Sequence, residues 1–267
     1  MGNRGHVGFK NRLAKMIIDP AFRHPGLMKL IFSIDDVTGV DLVKTLSPFK
    51  LVPASAELFQ RNFAHFVSGE EISLACATEL STIAPDRASA QYLLIQAGEE
   101  QTHLEHFRHK LDQFGLGEAR LNRFVAPSFK KFGEAIAGRL AKKDYVGALI
   151  GNNIVVEGLA ICLLELGCRD LRENSDEIAK FLDFVLEDER HHVRFGERRL
   201  KTWNEQGLVR ERDALDFYGE MWSYVEAVTV EIPDVLDSLG LEPAYLLREA
   251  KTFFESRLAS AGLAIAS

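Results

Sequence analysis

The sequence has little cysteine, and what it has does not suit a disulfide or a zinc site. Only three cysteines occur in 267 residues, namely Cys76, Cys162 and Cys168, and all lie in apolar segments that favour helix. No two of them stand at CxxC spacing, which excludes a rubredoxin-type or zinc-ribbon module. An odd number in such positions also argues against a disulfide framework.

The chain has no surplus of basic residues either. Lysine and arginine number 32 against 39 acidic residues, which gives a net charge of -7 and a pI near 5.7. Phosphate binding needs a net basic face, so a general nucleic-acid surface is not expected. The first 31 residues are an exception, with six basic residues against Asp19 alone. We interpret that segment as a solvated face.

Signals for secretion or membrane insertion are missing from the sequence pattern. The N-terminus has no secretory apolar core, and we find no apolar run that approaches the ~18 residues of a membrane span. We therefore expect a cytoplasmic protein.

Strand-like alternation is absent, and proline is scarce after residue 53. Between Ala54 and Ile232 only Pro85 and Pro127 occur, each at a point where a helix can start. Apolar residues recur at spacings of three and four, which predicts an all-α protein. The predicted helices cover 54–82, 85–114, 128–141, 144–167, 174–206, 210–232 and 243–261.

These helices predict one domain over residues 1–267, since no linker or charge block divides the chain. We expect a helical N-terminal extension at 1–52, a four-helix bundle at 53–206 and packing helices at 207–267. Gly69, Gly158 and Gly196 lie inside predicted helices, where glycine is unfavourable, and we expect them to allow close packing or a cavity.

Two of the long helices carry the same short motif, a glutamate followed three residues later by a histidine. Glu100 precedes His103 on the second helix, and Glu189 precedes His192 on the fourth. This spacing places the carboxylate and the imidazole on one face of a helix. Because acidic residues are common in the chain, one such pair is weak evidence for a metal site. The positions of the two motifs along their helices are stronger evidence.

Two further glutamates lie level with these motifs if the long helices pair as antiparallel hairpins. Glu70 and Glu100 lie 15 residues to either side of Pro85, and Glu157 and Glu189 lie 16 residues to either side of the middle of the second connection. With a rise of 1.5 Å per residue, equal offsets give equal heights, about 22 Å from the turn. Four glutamates and two histidines are therefore expected to meet in the bundle.

Spacing alone leaves two choices open. Glu71 lies at almost the same height as Glu70, and we prefer Glu70 because it continues the apolar stripe of its helix. The neighbouring register, Asp188 with His191, is also compatible with the second motif.

Buried together, these side chains would be too costly as bare charges, and two divalent cations would neutralise them. Oxygen-rich ligands with one imidazole per metal favour iron or manganese over structural zinc, and such a set is typical of dimetal carboxylate bundles. Glu99 and Asp188 each directly precede a predicted ligand, and either carboxylate could accept the second ring N–H of a bound histidine. We predict two iron ions, with manganese as the alternative, bound by Glu70, Glu100, His103, Glu157, Glu189 and His192.

The stretches EEQTH and DERHH resemble the (D/E)ExxH motifs of ferritin-like di-iron oxygenases. More closely, GEEISLA, IVVEGLA and EDERHHVRFGE resemble the ligand helices of the cyanobacterial aldehyde-deformylating oxygenases, over roughly residues 60 to 205. This resemblance implies a ferritin-like fold, and it selects Glu70, Glu189 and His192 as ligands. Related desaturases and monooxygenases have arginine before the histidine, where this chain has Thr102 and His191.

The resemblance and the ligand set together imply an O2-activating oxidase or oxygenase. We expect a small, largely apolar substrate, fatty or aromatic, an electron-donor protein and a homodimer. The competing interpretations are a ferroxidase or iron-handling protein, a tRNA-modifying di-iron hydroxylase and a manganese catalase-like enzyme. The residues expected to line an apolar pocket are Phe59, Phe63, Phe66, Phe107, Ile161 and Val185.

Overall fold

The computed structural model describes residues 53–113, 123–167 and 176–263, and within these ranges all the longer regular elements are helices. The prediction of an all-α protein is confirmed. The predicted N-terminal extension lies outside the described residues, as do the expected helix ends around Gly115 and Asn174.

Eight helices occur in the described part of the chain, and seven of them match the predicted segments to within a few residues. The exception is a short helix at Pro233–Ser238 that was not predicted. Ile232 leaves the helical conformation (φ -126°, ψ 45°), and Pro233 then starts this new helix. In order, the helices are α1 Pro53–Ile83, α2 Arg87–Gln113, α3 Pro127–Ala141, α4 at 145–167, α5 Asp176–Glu205, α6 Glu211–Glu231, α7 Pro233–Ser238 and α8 Pro243–Ser260.

Side-chain caps set the starts of two helices that carry the site. The Asp86 carboxylate accepts a hydrogen bond from the Ser89 backbone N–H at 2.8 Å, so α2 begins two residues after Pro85. Asp144 caps α4 in the same way, accepting from the Gly147 N–H at 2.9 Å.

The four long helices form two pairs, as expected if each pair is a helical hairpin. α1 packs against α2 across the short connection at 84–86, and α4 packs against α5. The remaining helices cover the bundle: α3 and α6 pack together beside α4, α7 packs against α1, and α8 packs against α4, α5 and α6. Of the helices after residue 207, α6 and α8 therefore pack directly against α4, whereas α7 packs against α1 and α6.

Helix α4 changes its winding along its length. Tyr145–Leu149 and Glu157–Cys162 are α-helical, whereas Ile150–Val156 and Leu163–Gly167 are π-helical. π turns are rare in proteins as a whole, and those that occur are often found at functional sites. All residues of the first π segment are buried, and they include two consecutive polar side chains, Asn152 and Asn153.

The expectation that no segment is long and apolar enough to span a bilayer is wrong. Tyr145–Leu166 forms a 22-residue helix with a mean hydropathy of 1.8, which meets that length and composition. In the structure, however, 83% of its apolar window is buried inside the protein. The segment is rich in apolar residues because it is the central helix and other helices pack against it.

The three helical glycines differ in their surroundings. A Cβ at Gly158 would lie 2.8 Å from the Phe254 ring, so this glycine lets α8 approach α4. A Cβ at Gly69 would meet only Phe129 among the described residues, at 3.8 Å, which is an ordinary van der Waals contact, so a methyl group fits there.

Gly196 marks the closest approach of α5 to α4, since a Cβ there would lie 2.7 Å from the Asn153 Cβ. Gly196→Ala should therefore destabilise the protein by about 1–3 kcal/mol through overpacking. Gly98→Ala is the matched control, because its Cβ meets no described atom within 4 Å and should stabilise helix α2 by about 0.5–1 kcal/mol. Urea unfolding of the metal-free proteins measures both. Equal stabilities would contradict the close approach.

Candidate metal centre

The structure brings all six predicted metal ligands together in the interior of the bundle. Each of them is at most 6% exposed. Their ligand atoms form two overlapping groups, in each of which all atoms lie within 4.8 Å of one another. We call the first group site A, formed by Glu70, Glu100, His103 and Glu189, and the second group site B, formed by Glu100, Glu157, Glu189 and His192.

Glu100 and Glu189 belong to both sites, and each presents one oxygen to each site. Glu100 Oε2 lies 3.6 Å from His103 Nδ1, while its Oε1 lies 3.2 Å from His192 Nδ1. Glu189 Oε1 lies 3.4 Å from His103 Nδ1, while its Oε2 lies 3.1 Å from His192 Nδ1. Two carboxylates placed between two imidazoles in this way can bridge a pair of cations.

Each site also has one carboxylate of its own. Glu70 Oε2 lies 3.4 Å from His103 Nδ1 in site A, and Glu157 Oε1 lies 3.9 Å from His192 Nδ1 in site B. The four glutamates come from α1, α2, α4 and α5, so every long helix contributes one.

Of the three alternative residues that spacing left open, Glu71 and His191 lie at the surface, and Asp188 lies beside His103 at the edge of the cluster. The Glu71 side chain is 45% exposed and forms an ion pair with Arg108 at 2.6 Å. The His191 side chain is 52% exposed and lies 3.4 Å from Glu187. Helix geometry explains the outcome, since adjacent residues point about 100° apart.

Two carboxylates at the edge of the site orient its histidines. His103 Nε2 lies 3.1 Å from Asp188 Oδ2, and His192 Nε2 lies 2.9 Å from Glu99 Oε2. Both contacts run between α2 and α5, so each acid orients the histidine of the opposite helix. With Nε2 engaged, the Nδ1 atom of each ring faces the cluster and is available to a metal.

Asp188→Asn should weaken cation binding at site A by about 10- to 100-fold, the usual effect of losing a carboxylate that orients a ligand histidine. Titration of the metal-free protein with Fe(II) in the absence of O2 measures this change. Glu187→Gln is the matched control, because its side chain is 53% exposed and contacts only surface groups among the described residues. Equal affinities in the two variants would show that Asp188 does not position His103.

Burial and charge together shift the titration of the cluster. Burial raises the pKa of Glu70 and of Glu157 well above the ordinary value, and neighbouring carboxylates add to the shift at Glu157. Burial alone would lower the pKa of His103 and of His192, but the surrounding carboxylates raise it well above the ordinary value. The metal-free cluster therefore holds protons that a cation must displace, so cation affinity falls as the pH falls.

Within the described chain, three buried atoms of the cluster have no hydrogen-bond partner: Glu70 Oε2, Glu100 Oε2 and His103 Nδ1. An unpartnered buried polar atom typically costs about 1–3 kcal/mol, and native proteins avoid it. All three atoms converge on site A, and a cation there would coordinate all of them. The residues present therefore fit a metal ion.

Three buried amides beside the cluster escaped the sequence analysis. Gln96, Asn152 and Asn153 are all fully buried. Gln96 Nε2 donates to Glu157 Oε1 at 2.9 Å and to Glu100 Oε1 at 3.1 Å. A signal for them exists in the sequence, since Gln96 lies one turn before Glu100 and the two asparagines interrupt an apolar run before Glu157.

An apolar cavity reaches the cluster from the side of α3 and α7. It ends at three of the site's carboxylates, those of Glu70, Glu157 and Glu189. The rest of its lining is His65, Phe66, Gly69, Ser73, Phe129, Phe132, Val156, Leu159, Ala160, Leu163, Ile232, Val235, Leu236 and Leu239.

The predicted pocket lining is largely wrong. Among the predicted residues whose side chains are described, only Phe66 lines the cavity. Phe63 and Phe107 pack with Phe66 in an aromatic cluster between α1 and α2, with ring centroids 5.4–6.5 Å apart. Ile161 and Val185 belong to the core between α4 and α5, and the Phe59 side chain lies outside the described part. The aromatic cluster lies on the side of α1 that faces α2. The cavity lies on a different side of α1, where residues of α3 and α7 form part of its wall.

Comparison with solved structures gives matches to proteins that are described as oxidases. A Synechococcus protein with aldehyde deformylating oxidase activity superposes with a TM-score of 0.64 at 18% identity, over 80% of this chain and 93% of the other. An R2-like ligand-binding oxidase variant with an aerobically reconstituted Mn/Fe cofactor gives 0.67 at 19% identity, over 79% and 82%. The chain has the ferritin-like fold. Another variant of that oxidase, with a non-activated Mn/Mn cofactor, also gives 0.67 at 19% identity, over 79% and 81%.

No protein-family model matches the sequence, and no curated protein matches it. These comparisons therefore support the ferritin-like fold. The type of reaction is inferred from the residues of the metal centre.

Proposed function

We propose that the protein is a non-haem dimetal oxidoreductase that uses O2 to oxidise a small, largely apolar organic compound. Sites A and B would each hold one iron ion, with manganese as the alternative metal. The observation that carries this proposal is the pair of shared carboxylates, Glu100 and Glu189, lying between two oriented histidines at the end of an apolar cavity.

The compared proteins support the same class of reaction. One has aldehyde deformylating oxidase activity, and the others are ligand-binding oxidases with Mn/Fe or Mn/Mn cofactors. The site found here offers two cation positions of similar donor chemistry, four carboxylates and two imidazoles.

Two bound iron ions would supply the chemistry that reduces O2 and oxidises the organic molecule. The chain's own residues provide the rest. Glu99 and Asp188 hold the imidazoles with Nδ1 turned inward, and buried amides hold Glu157. The cavity walls exclude water and place an apolar molecule beside Glu70 and Glu157.

The cavity favours an organic substrate over the ferroxidase alternative, because a protein that only oxidises iron has no need of an apolar chamber at its metal site. His65 is one of the cavity's few polar residues, and both of its ring nitrogens are already engaged, with the Arg61 carbonyl at 2.8 Å and the Ala126 N–H at 3.1 Å. Apolar contact therefore dominates recognition in this cavity. The electron-donor protein, the homodimer and the cytoplasmic location stay predictions from the sequence.

The test starts from metal-free protein loaded with two equivalents of Fe(II) without O2. Addition of ¹⁸O2 with a panel of fatty and aromatic compounds should consume O2 faster for particular compounds and give oxidised products detectable by mass spectrometry. O2 consumption that no compound alters, together with accumulation of ferric mineral, would support the ferroxidase interpretation instead.

A further inference from the structure

The two cation sites share two carboxylates, yet the ligand atoms of site A and of site B differ in the hydrogen bonds that they make. Among the described residues, the three unpartnered atoms of the cluster all face site A. At site B, Glu157 Oε1 accepts hydrogen bonds from Gln96 Nε2 at 2.9 Å and from Asn152 Nδ2 at 3.0 Å, although the Oδ1 atoms of Asn152 and Asn153 beside it have no partner among the described residues. The two sites are therefore not equivalent before any metal binds.

Two of the amides at site B, Gln96 and Asn153, are themselves held in one orientation. Asn153 Nδ2 donates to Gln96 Oε1 at 2.9 Å, so the Gln96 amide must turn its N–H groups toward the carboxylates. Asn153 also donates to the His192 backbone carbonyl at 3.1 Å, which ties this network to α5. We call Gln96, Asn152 and Asn153 the amide clamp.

The clamp holds Glu157, the terminal carboxylate of site B, and through Gln96 also the Glu100 oxygen that faces site B, at 3.1 Å. It supplies two donors to Glu157 Oε1, the oxygen that lies 3.9 Å from His192 Nδ1, and so fixes this side chain beside site B. Among the described residues, Glu70 Oε2 at site A has no such donor. The π-helical winding of α4 suits the contact between Asn152 and Glu157, because these residues are five positions apart, which is the spacing of a π turn.

Three of the four residues of site A present an unpartnered atom to it, so a cation that enters there has few hydrogen bonds to displace. At site B the contact between His192 Nδ1 and Glu189 Oε2, at 3.1 Å, has to open first. Site A should therefore bind its cation more tightly, and site B should depend on the clamp to keep Glu157 in place.

We propose that the amide clamp is a positioning device for site B alone, which makes the two cation positions inequivalent, with site A filled first and site B second. This proposal rests on the proposed function, because it assumes that both sites bind metal.

Mn(II) is the probe for the test, since free Mn(II) is counted directly by its EPR signal and no O2 chemistry intervenes. The wild-type chain should bind two equivalents in two separate steps. Asn152→Leu and Gln96→Met remove clamp donors at similar side-chain volume, and each should weaken the second step by about 10- to 100-fold while leaving the first unchanged. Gln101→Met is the matched control on the same helix, because the Gln101 amide contacts the exposed Glu105 instead.

A spectroscopic readout separates positioning from loss of structure. At two equivalents, the wild type should show the EPR signal of a coupled Mn(II) pair, and the clamp variants should show the signal of isolated Mn(II). Glu70→Ala should remove the first step and retain the clamp-dependent one. Equal weakening of both steps in the clamp variants, or no change in either, would overturn the proposal. A wild-type chain that binds fewer than two Mn(II) would instead overturn the proposed function.

Discussion

Glu189→Ala should lower the bound iron from two ions per chain to fewer than one. Glu189 presents Oε1 to His103 and Oε2 to His192, so its removal takes a ligand from both cation positions at once. Glu70→Ala and Glu157→Ala each remove a ligand from one position and should leave about one ion per chain. Metal analysis after anaerobic loading and dialysis measures the stoichiometry.

Glu187→Ala is the control for this prediction, since its side chain lies on the same helix, two residues earlier, and is half exposed. It should keep two irons. If Glu189→Ala retained as much iron as Glu70→Ala, Glu189 would not be shared between the sites. Circular dichroism of the metal-free variants confirms that each has kept its helices before its metal content is compared.

The heights of the ligands could be predicted from the sequence because the rise of a helix is fixed. Glu70 and Glu100 lie at equal distances from Pro85, and the structure brings these two side chains into one cluster. The starts of two helices also agree with their predicted positions, and the structure shows a local cap at each, Asp86 for α2 and Asp144 for α4.

Contacts between helices could not be predicted in the same way. The spacing suggests that Asp188 and Glu99 orient histidines, but not that each reaches the histidine of the other helix. That outcome depends on how α2 and α5 are rotated about their own axes, which no local pattern fixes. The position of the cavity depends likewise on where α3 and α7 dock, and α7 itself is too short to show periodicity.

The winding of α4 was also beyond prediction. A π segment adds a residue to the turn and changes which side chains face inward, while the apolar sequence around it is compatible with an ordinary α-helix. Asn152 and Asn153 therefore read as interruptions of a buried helix, although in the structure they contact Glu157 and Gln96. Buried amides in an apolar helix are a signal for a polar site, because burial without partners would be unfavourable.

Gly69→Leu should abolish turnover of the organic substrate while the chain still binds two irons. Gly69 lines the cavity one residue before Glu70, and a Cβ there meets only the Phe129 ring among the described residues, at 3.8 Å. A leucine side chain would extend into the space that an apolar substrate needs. A single methylene in such a pocket changes kcat/KM by about 10- to 200-fold, so leucine should lower it by more than about 100-fold.

Gly69→Ala is the graded control, because its single methyl group makes an ordinary contact with Phe129 and should leave most of the cavity open. Turnover of an apolar substrate should fall in the order glycine, alanine, leucine, while the iron content of the three proteins stays equal. A ferroxidase would respond differently, since iron and O2 do not need the apolar chamber and its O2 consumption would be the same in all three. The Gly69 series thus separates an enzyme with an organic substrate from an iron-handling protein that has the same ligands.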